Sequence, residues 1–242
     1  MKVIIIAGGL GTRISEETDD KPKPMVLING QPILWHLMNI FCLQGLNEFI
    51  ISTGYKSEVI ENWVQDNQIL DSNSNKMKIT TINTGLHTQT GGRISKVMKT
   101  LPRERVITTY GDGLANVSIK KLLAFHKSHG RLATVTAVRP PARFGYLKTE
   151  NSVVTRFGEK NQSDEGWING GFFVLEPEAC GYIKSVSEPF ETGALVRLTS
   201  RSQLMAYEHL TYWQPMDTLR EKLDLEKLAM LKNPPWLNNI NV

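Results

Sequence analysis

The chain has few cysteines, no long apolar run and no strong charge bias, and each shortage excludes something. Only two cysteines occur in 242 residues, Cys42 and Cys180, and neither lies in a C-x-x-C pair. A disulfide framework or zinc site is therefore not expected. Both read as small buried hydrophobes in a reducing, cytoplasmic setting. No apolar run approaches the ~20 residues needed to span a bilayer, and strand-like residues begin at Val3, so neither a membrane anchor nor a signal peptide is expected. The net charge of +4 is mild, and no basic strip is interleaved with aromatics, so nucleic acid is not an expected partner. The five histidines show no H-E-x-x-H spacing. A Gly-x-Ser-x-Gly elbow, the mark of a common hydrolase type, is missing too.

What is present centres on Lys2 to Met25. Val3-Ile4-Ile5-Ile6-Ala7 is short, apolar and β-branched, which predicts a strand buried on both faces. It breaks into Gly8-Gly9-Leu10-Gly11-Thr12-Arg13, followed by Lys21-Pro22-Lys23-Pro24-Met25. Glycines at the carboxyl end of a buried strand let backbone N–H groups approach an anion, because no Cβ intervenes. Arg13 adds a fork of donors and Lys23 a point charge, both suited to phosphate. Ile14 stands where the dinucleotide fingerprint needs a third glycine, and the Gly-Lys-Ser/Thr ending of a P-loop is absent. The expectation is a polyphosphate cradle of a different kind; an ordinary strand-to-helix turn with a surface arginine is the alternative.

Hydrophobic periodicity then predicts strands and helices in alternation. Helices are expected over 33–43, 56–65, 91–100 and 118–129, and strands over 48–53, 77–83 and 104–110, with a polar loop at 66–76. This order predicts a mostly parallel sheet covered on both faces, with ligands outside the carboxyl ends of its strands. Past Leu132, strands crowd together at 133–139, 145–149, 153–157 and 167–175, which predicts antiparallel additions. A short helix from Pro177, a strand at 204–208 and a helix over 217–231 close the chain. No repeat or linker interrupts it, so one domain is expected over 1–242, with a nucleotide half (1–131) and a substrate half (132–242).

Several residues could carry chemistry. Asp112, within Gly111-Asp112-Gly113 at a strand end, could hold Mg²⁺ beside the cradle, or could simply make an Asp-Gly turn. Asp217 could join it, or could cap the helix that follows. Lys160 could hold a phosphate or be a solvated loop lysine. Asn169-Gly170-Gly171 signals close backbone approach to a ligand, or a β-bulge. Thr88 to Arg93 could grip a base edge or phosphate at a helix start, or only cap it.

Taken together these stretches resemble the sugar-phosphate nucleotidylyltransferases. The resemblance is carried by Gly8 to Arg13, Lys23-Pro24-Met25, Pro32 to His36, Thr90 to Arg93, Tyr110 to Gly113, Arg143-Phe144-Gly145, Asn169 to Val174 and Trp213 to Arg220. It spans Lys2 to Trp236, and its motifs are specific in combination. It implies an α/β, Rossmann-like three-layer nucleotide-diphospho-sugar transferase fold with a mostly parallel mixed sheet. It also implies transfer of CMP from CTP to α-D-glucose 1-phosphate, with Mg²⁺ and release of pyrophosphate, by a homo-oligomer whose product feeds surface polysaccharide. By resemblance, Ala7, Gly8, Gly9, Leu10, Gly11, Thr12, Arg13, Lys23, Thr90, Arg93, Gly111 and Asp112 would bind the nucleotide. Gly145, Glu159, Lys160, Asn169, Gly170 and Glu191 would face the sugar phosphate. Asp112 and Asp217 would hold the metal, and Arg13, Lys23, Asp112 and Lys160 would be catalytic.

Three departures from the family pattern bear on the acceptor sugar more than on the nucleotide. Asn161 replaces a proline after Glu159-Lys160, Gly193-Ala194 replaces an acidic residue and proline, and the 65–84 segment is short. The same chemistry on another sugar or polyol phosphate, or with UTP or dTTP, is the alternative. A non-catalytic nucleotide-sugar sensor is a third reading, which the presence of Arg13, Lys23, Asp112, Lys160 and Asp217 disfavours.

Overall fold

The computed structural model describes residues 1–66, 68–140, 145–150, 152–159 and 166–240, with backbone alone for 145–149 and 156–159. Besides a two-residue pair, Leu27–Ile28 with Gln31–Pro32, the strands in chain order are β1 (Val3–Ile6), β2 (Glu48–Thr53), β3 (Lys78–Asn83), β4 (Val106–Tyr110), β5 (Gly113–Ala115), β6 (Ala133–Val138), β7 (Gly145–Glu150), β8 (Val153–Glu159), β9 (Ile168–Leu175), β10 (Leu204–His209) and β11 (Trp213–Pro215). The principal helices are α1 (Ile33–Cys42), α2 (Ser57–Asp66), α3 (Thr90–Met98), α4 (Ile119–His129), α5 (Ala194–Ser200) and α6 (Leu219–Ala229).

Seven strands form one mixed sheet in the order β10-β6-β9-β4-β1-β2-β3. β1 pairs in parallel with both β2 and β4, and β2 in parallel with β3. Only β9 runs against its neighbours, β4 and β6. The β-branched run of β1 explains its central place. Alternate side chains leave opposite faces, so Val3 and Ile5 enter one apolar core while Ile4 and Ile6 enter the other. Val3, Ile4 and Ile5 are fully buried, each contributing about 1.5–3 kcal/mol of hydrophobic stabilisation. On one face α1 inserts Ile33, Leu34, Leu37 and Phe41; on the other α3 inserts Ile94 and Val97.

The expected elements are present, with three differences. The 145–159 hairpin, β7 with β8, is a separate two-stranded arm rather than an addition to the main sheet. Helix α5 is a further element, too short to show amphipathic periodicity. β5 and β11 form a small antiparallel ladder, Trp213 opposite Ala115 and Pro215 opposite Gly113. Cys42 and Cys180 are unpaired and half-buried rather than buried; burial pushes the Cys42 thiol up to about 12. Among the described residues no helix is long and apolar enough to cross a membrane.

Candidate active site

The carboxyl ends of β1 and β4 open into a cleft of about 630 Å³, lined by the glycine turn, Lys23, Asp112, Asp217, Thr90, the Asn169–Gly171 segment and Glu191. The hydrogen bond from Gly111 N–H to Ile6 O (3.0 Å) holds the two strand ends side by side. Gly11 has φ of +68°, the left-handed conformation that favours glycine, and so turns the chain back beneath the cleft. A Cβ on Gly9 would meet no atom within 4 Å and would project into open space, which leaves room for a ligand against the backbone.

Asp112 and Asp217, 105 positions apart, converge on one cation. The Lys23 ammonium donates to Asp112 Oδ2 at 2.7 Å and to Asp217 Oδ1 at 2.6 Å, while Arg13 Nη1 donates to Asp217 Oδ2 at 2.6 Å. The β5–β11 ladder makes this meeting possible, and Met216 N–H extends it by donating to Asp112 O. Asp217 is not the helix cap. Thr218 caps α6 and forms a capping box with Glu221, which also accepts from Asp217 N–H. That arrangement leaves the Asp217 carboxylate free to face the cleft. Thr218-x-x-Glu221 is legible as a capping box in the sequence, and it would have separated the two readings of Asp217. Lys23 is 7% exposed. Burial pulls its ammonium down, but the Asp112 charge and the hydrogen bonds to both carboxylates outweigh this and hold it above the usual lysine range.

At the far end, Thr90 Oγ1 donates to Glu191 Oε2 at 2.7 Å, the Tyr110 hydroxyl donates to Glu191 Oε1, and Asn169 Nδ2 donates to the Tyr110 oxygen at 3.1 Å. Burial, then the Glu191 charge, holds the Tyr110 phenol far above its ordinary range. Glu191 is thereby a fixed negative wall. Tyr110 has a part in this that the sequence reading did not give it; its signals were its place at the end of β4 and in the Tyr110–Gly113 stretch. The β9–β6 register shifts between Asn169 and Phe173. Gly171 has φ of +83°, and a Cβ there would lie 2.6 Å from the Tyr110 ring. The double glycine therefore makes a bulge and also brings backbone to the cleft.

Two of the expected nucleotide contacts already carry bonds within the protein. At the start of α3, where an anion grip was expected, part of the donor set is already engaged. Gly91 N–H donates to Glu188 O, Gln89 N–H to Val186 O, and Phe190 N–H to Thr90 Oγ1. Gly91 and Gly92 are glycines because the 186–190 backbone lies against them; a Cβ on Gly92 would stand 2.2 Å from Val186 O. Arg93 lines the cleft on the side where the base and ribose contact was expected. Its guanidinium is buried and donates to Gly8 O (2.7 Å), Thr53 O (2.8 Å), Thr84 Oγ1 (2.6 Å) and Leu86 O (3.3 Å). It pins the glycine turn from behind, and only a glycine at 8 or 54 leaves room for it.

Gly145 and Glu159 are paired at the open end of the arm; only their backbone is described. Lys160 lies outside the described residues, as do Arg143, Phe144 and Asn161. Among the described residues no group of three or more His, Cys, Asp or Glu is placed to hold a metal. The Asp112–Asp217 pair is of the type that binds Mg²⁺ together with substrate phosphates: hard carboxylate oxygens already gathered around a cation.

A parallel-centred sheet places its ligands outside the carboxyl ends of its strands, where the two carboxylates and two cations lie, and the chain's solved neighbours share the nucleotide-diphospho-sugar transferase fold. The chain belongs to the nucleotidyl transferase family, whose model, described as Nucleotidyl transferase, matches residues 2–218. It is 43% identical to the glucose-1-phosphate cytidylyltransferase of Salmonella typhi over 98% of both chains. It is 40% identical to the probable glucose-1-phosphate cytidylyltransferase of Bacillus subtilis over 98% of this chain and 99% of that one. Among solved structures, a UDP-glucose pyrophosphorylase complexed with UDP-glucose superposes with a TM-score of 0.70 over 94% of this chain and 97% of the other, at 16% identity.

Proposed function

We propose that this protein transfers CMP from CTP to α-D-glucose 1-phosphate, releasing pyrophosphate and forming CDP-glucose. The observation that carries the chemistry is the convergence of Lys23, Arg13, Asp112 and Asp217 beside an open glycine turn. The naming of relatives at 43% and 40% identity supports the choice of substrates.

A phosphate oxygen of glucose 1-phosphate attacks the α-phosphorus in line. A new P–O bond forms as the bond to the β-phosphate breaks, and the electron pair leaves with pyrophosphate. No covalent enzyme intermediate is needed, so catalysis is positioning and charge neutralisation. The backbone from Ala7 to Thr12, with Gly111, receives the triphosphate. Lys23 serves the α-phosphate, and Arg13 serves the charge growing on the departing pyrophosphate. Asp112 and Asp217 would hold Mg²⁺, which when bound offsets phosphate charge. Arg93 acts from behind by holding Gly8, and Thr90 by holding Glu191. Glu191, Asn169 and Gly170 suit sugar hydroxyls rather than a phosphate, because Glu191 is already anionic and anchored. Gly145, Glu159 and Lys160 would serve the sugar phosphate, as the resemblance implies. We place the enzyme in the cytoplasm as a homo-oligomer. Residues 1–131 supply the nucleotide half and 132–242 the sugar half of one domain.

The test is a panel: each NTP with Mg²⁺ and a set of sugar and polyol phosphates, following pyrophosphate. Release that is fastest with CTP and glucose 1-phosphate supports the proposal. Release with another pair moves the substrate assignment, and no release from any pair makes the protein a sensor.

A further inference from the structure

The two cations proposed to grip the triphosphate and the two carboxylates proposed to grip the metal are bound to each other in this structure. Lys23 bridges Asp112 and Asp217, and Arg13 takes the remaining Asp217 oxygen. The cluster is neutral: two carboxylates against two cations. A divalent metal carries the same two positive charges and needs the same oxygens.

We propose that Lys23 and Arg13 are internal stand-ins for the divalent cation, and that metal and nucleotide bind by charge exchange. The metal takes over the carboxylates, and the released cations take the triphosphate. This rests on the proposed nucleotide site and goes beyond it. Metal arriving alone must displace Lys23 from two hydrogen-bonded carboxylates in a site where its side chain is 9% exposed. Triphosphate arriving alone must draw Lys23 and Arg13 away, leaving Asp112 and Asp217 uncompensated beside a polyanion. Both steps are disfavoured singly because partly buried charge is stranded. Together they leave no stranded charge, so the two ligands must favour one another, and by linkage each strengthens the other by the same factor.

The experiment measures binding rather than turnover, on the full chain. Mn²⁺ affinity is read by electron paramagnetic resonance without nucleotide, and CTP affinity by calorimetry in EDTA. Wild type is expected to bind each weakly alone, with at least ~10-fold mutual strengthening, within the usual range of coupling. Lys23→Met removes the stand-in at similar volume and is expected to bind Mn²⁺ alone several-fold more tightly than wild type. Arg13→Gln changes an exposed side chain, so it tests the same point if Lys23→Met does not fold; its Mn²⁺ affinity is expected to rise by a smaller factor. Asp217→Asn is expected to bind metal-free CTP more tightly than wild type, because Arg13 and Lys23 each lose a carboxylate acceptor and are freer to meet the triphosphate. Independent binding of Mn²⁺ and CTP to wild type, or unchanged or weaker Mn²⁺ binding in the folded cation variants, would overturn the proposal. Coupled binding without CDP-glucose formation would instead sink the substrate assignment and leave the exchange standing.

Discussion

Arg93→Met separates an arginine that touches the ligand from one that builds the ligand's seat. The guanidinium makes three short hydrogen bonds, to Gly8 O, Thr84 Oγ1 and Thr53 O, and a longer one to Leu86 O. Bonds from a charged donor contribute about 1.5–3 kcal/mol each, and they do not add fully. The cleft lies alongside, so water can recover part of the loss. A cost of about 3–5 kcal/mol is expected, since each buried acceptor left without its donor costs about 1–3 kcal/mol before water recovers its share. For a chain of 242 residues this lowers Tm by about 6–20 °C. CTP affinity should fall with it, because Gly8 loses its anchor. Arg93→Lys should recover only part of the stability, since one ammonium cannot reach three sites on separate segments. Calorimetry with and without CTP reads both quantities. A Tm within about 2 °C of wild type, with CTP binding lost, would mean that Arg93 acts on the nucleotide directly and that this reasoning is wrong.

Asp112→Asn should abolish pyrophosphate release while circular dichroism and Tm stay near wild type; an active variant would remove Asp112 from the metal role. Lys160→Ala should raise the KM for glucose 1-phosphate far more than that for CTP, and equal effects would reassign it. Gly92→Ala places a Cβ against the Val186 backbone and should cost about 1–3 kcal/mol in urea unfolding; a wild-type midpoint would show that the 186–191 segment yields freely. Stability should also fall as pH drops below about 6.5, the ordinary histidine value. Burial lowers both His126 and His129, so the folded state favours neutral rings and their unfavourable protonation is felt only on the acid side. His129 Nδ1 accepts from Arg131 N–H, leaving Nε2 to meet Thr134 Oγ1, which in turn meets His126 Nδ1. If His126→Gln loses as much Tm between pH 7 and 5.5 as wild type, His126 is not a source of that loss.

Local chemistry was readable wherever it is carried by neighbours in sequence. β-branched residues in β1, helical spacing in α1 and α4, and the glycine turn after Ile6 need no distant partner to declare themselves. The small ladder of β5 with β11 could not be read in that way, since three-residue strands carry no usable period. Asp112 and Asp217 therefore could not be seen to meet until that ladder brought them together, and the Thr218 cap takes the capping role away from Asp217. Arg93 and the start of α3 were only partly legible for a related reason: the sequence shows donors but not what is packed against them, and carbonyls of Gly8, Thr53 and Glu188 take several of them.

The sequence by itself determined an α/β chain with a phosphate-type turn at the end of its central strand, because strand burial and glycine freedom are short-range properties. The tertiary structure alone decided which charges face one another. Lys23 sits between two carboxylates 89 and 194 positions away, and no local pattern encodes contacts that only the closing of the sheet and the β5–β11 ladder bring together.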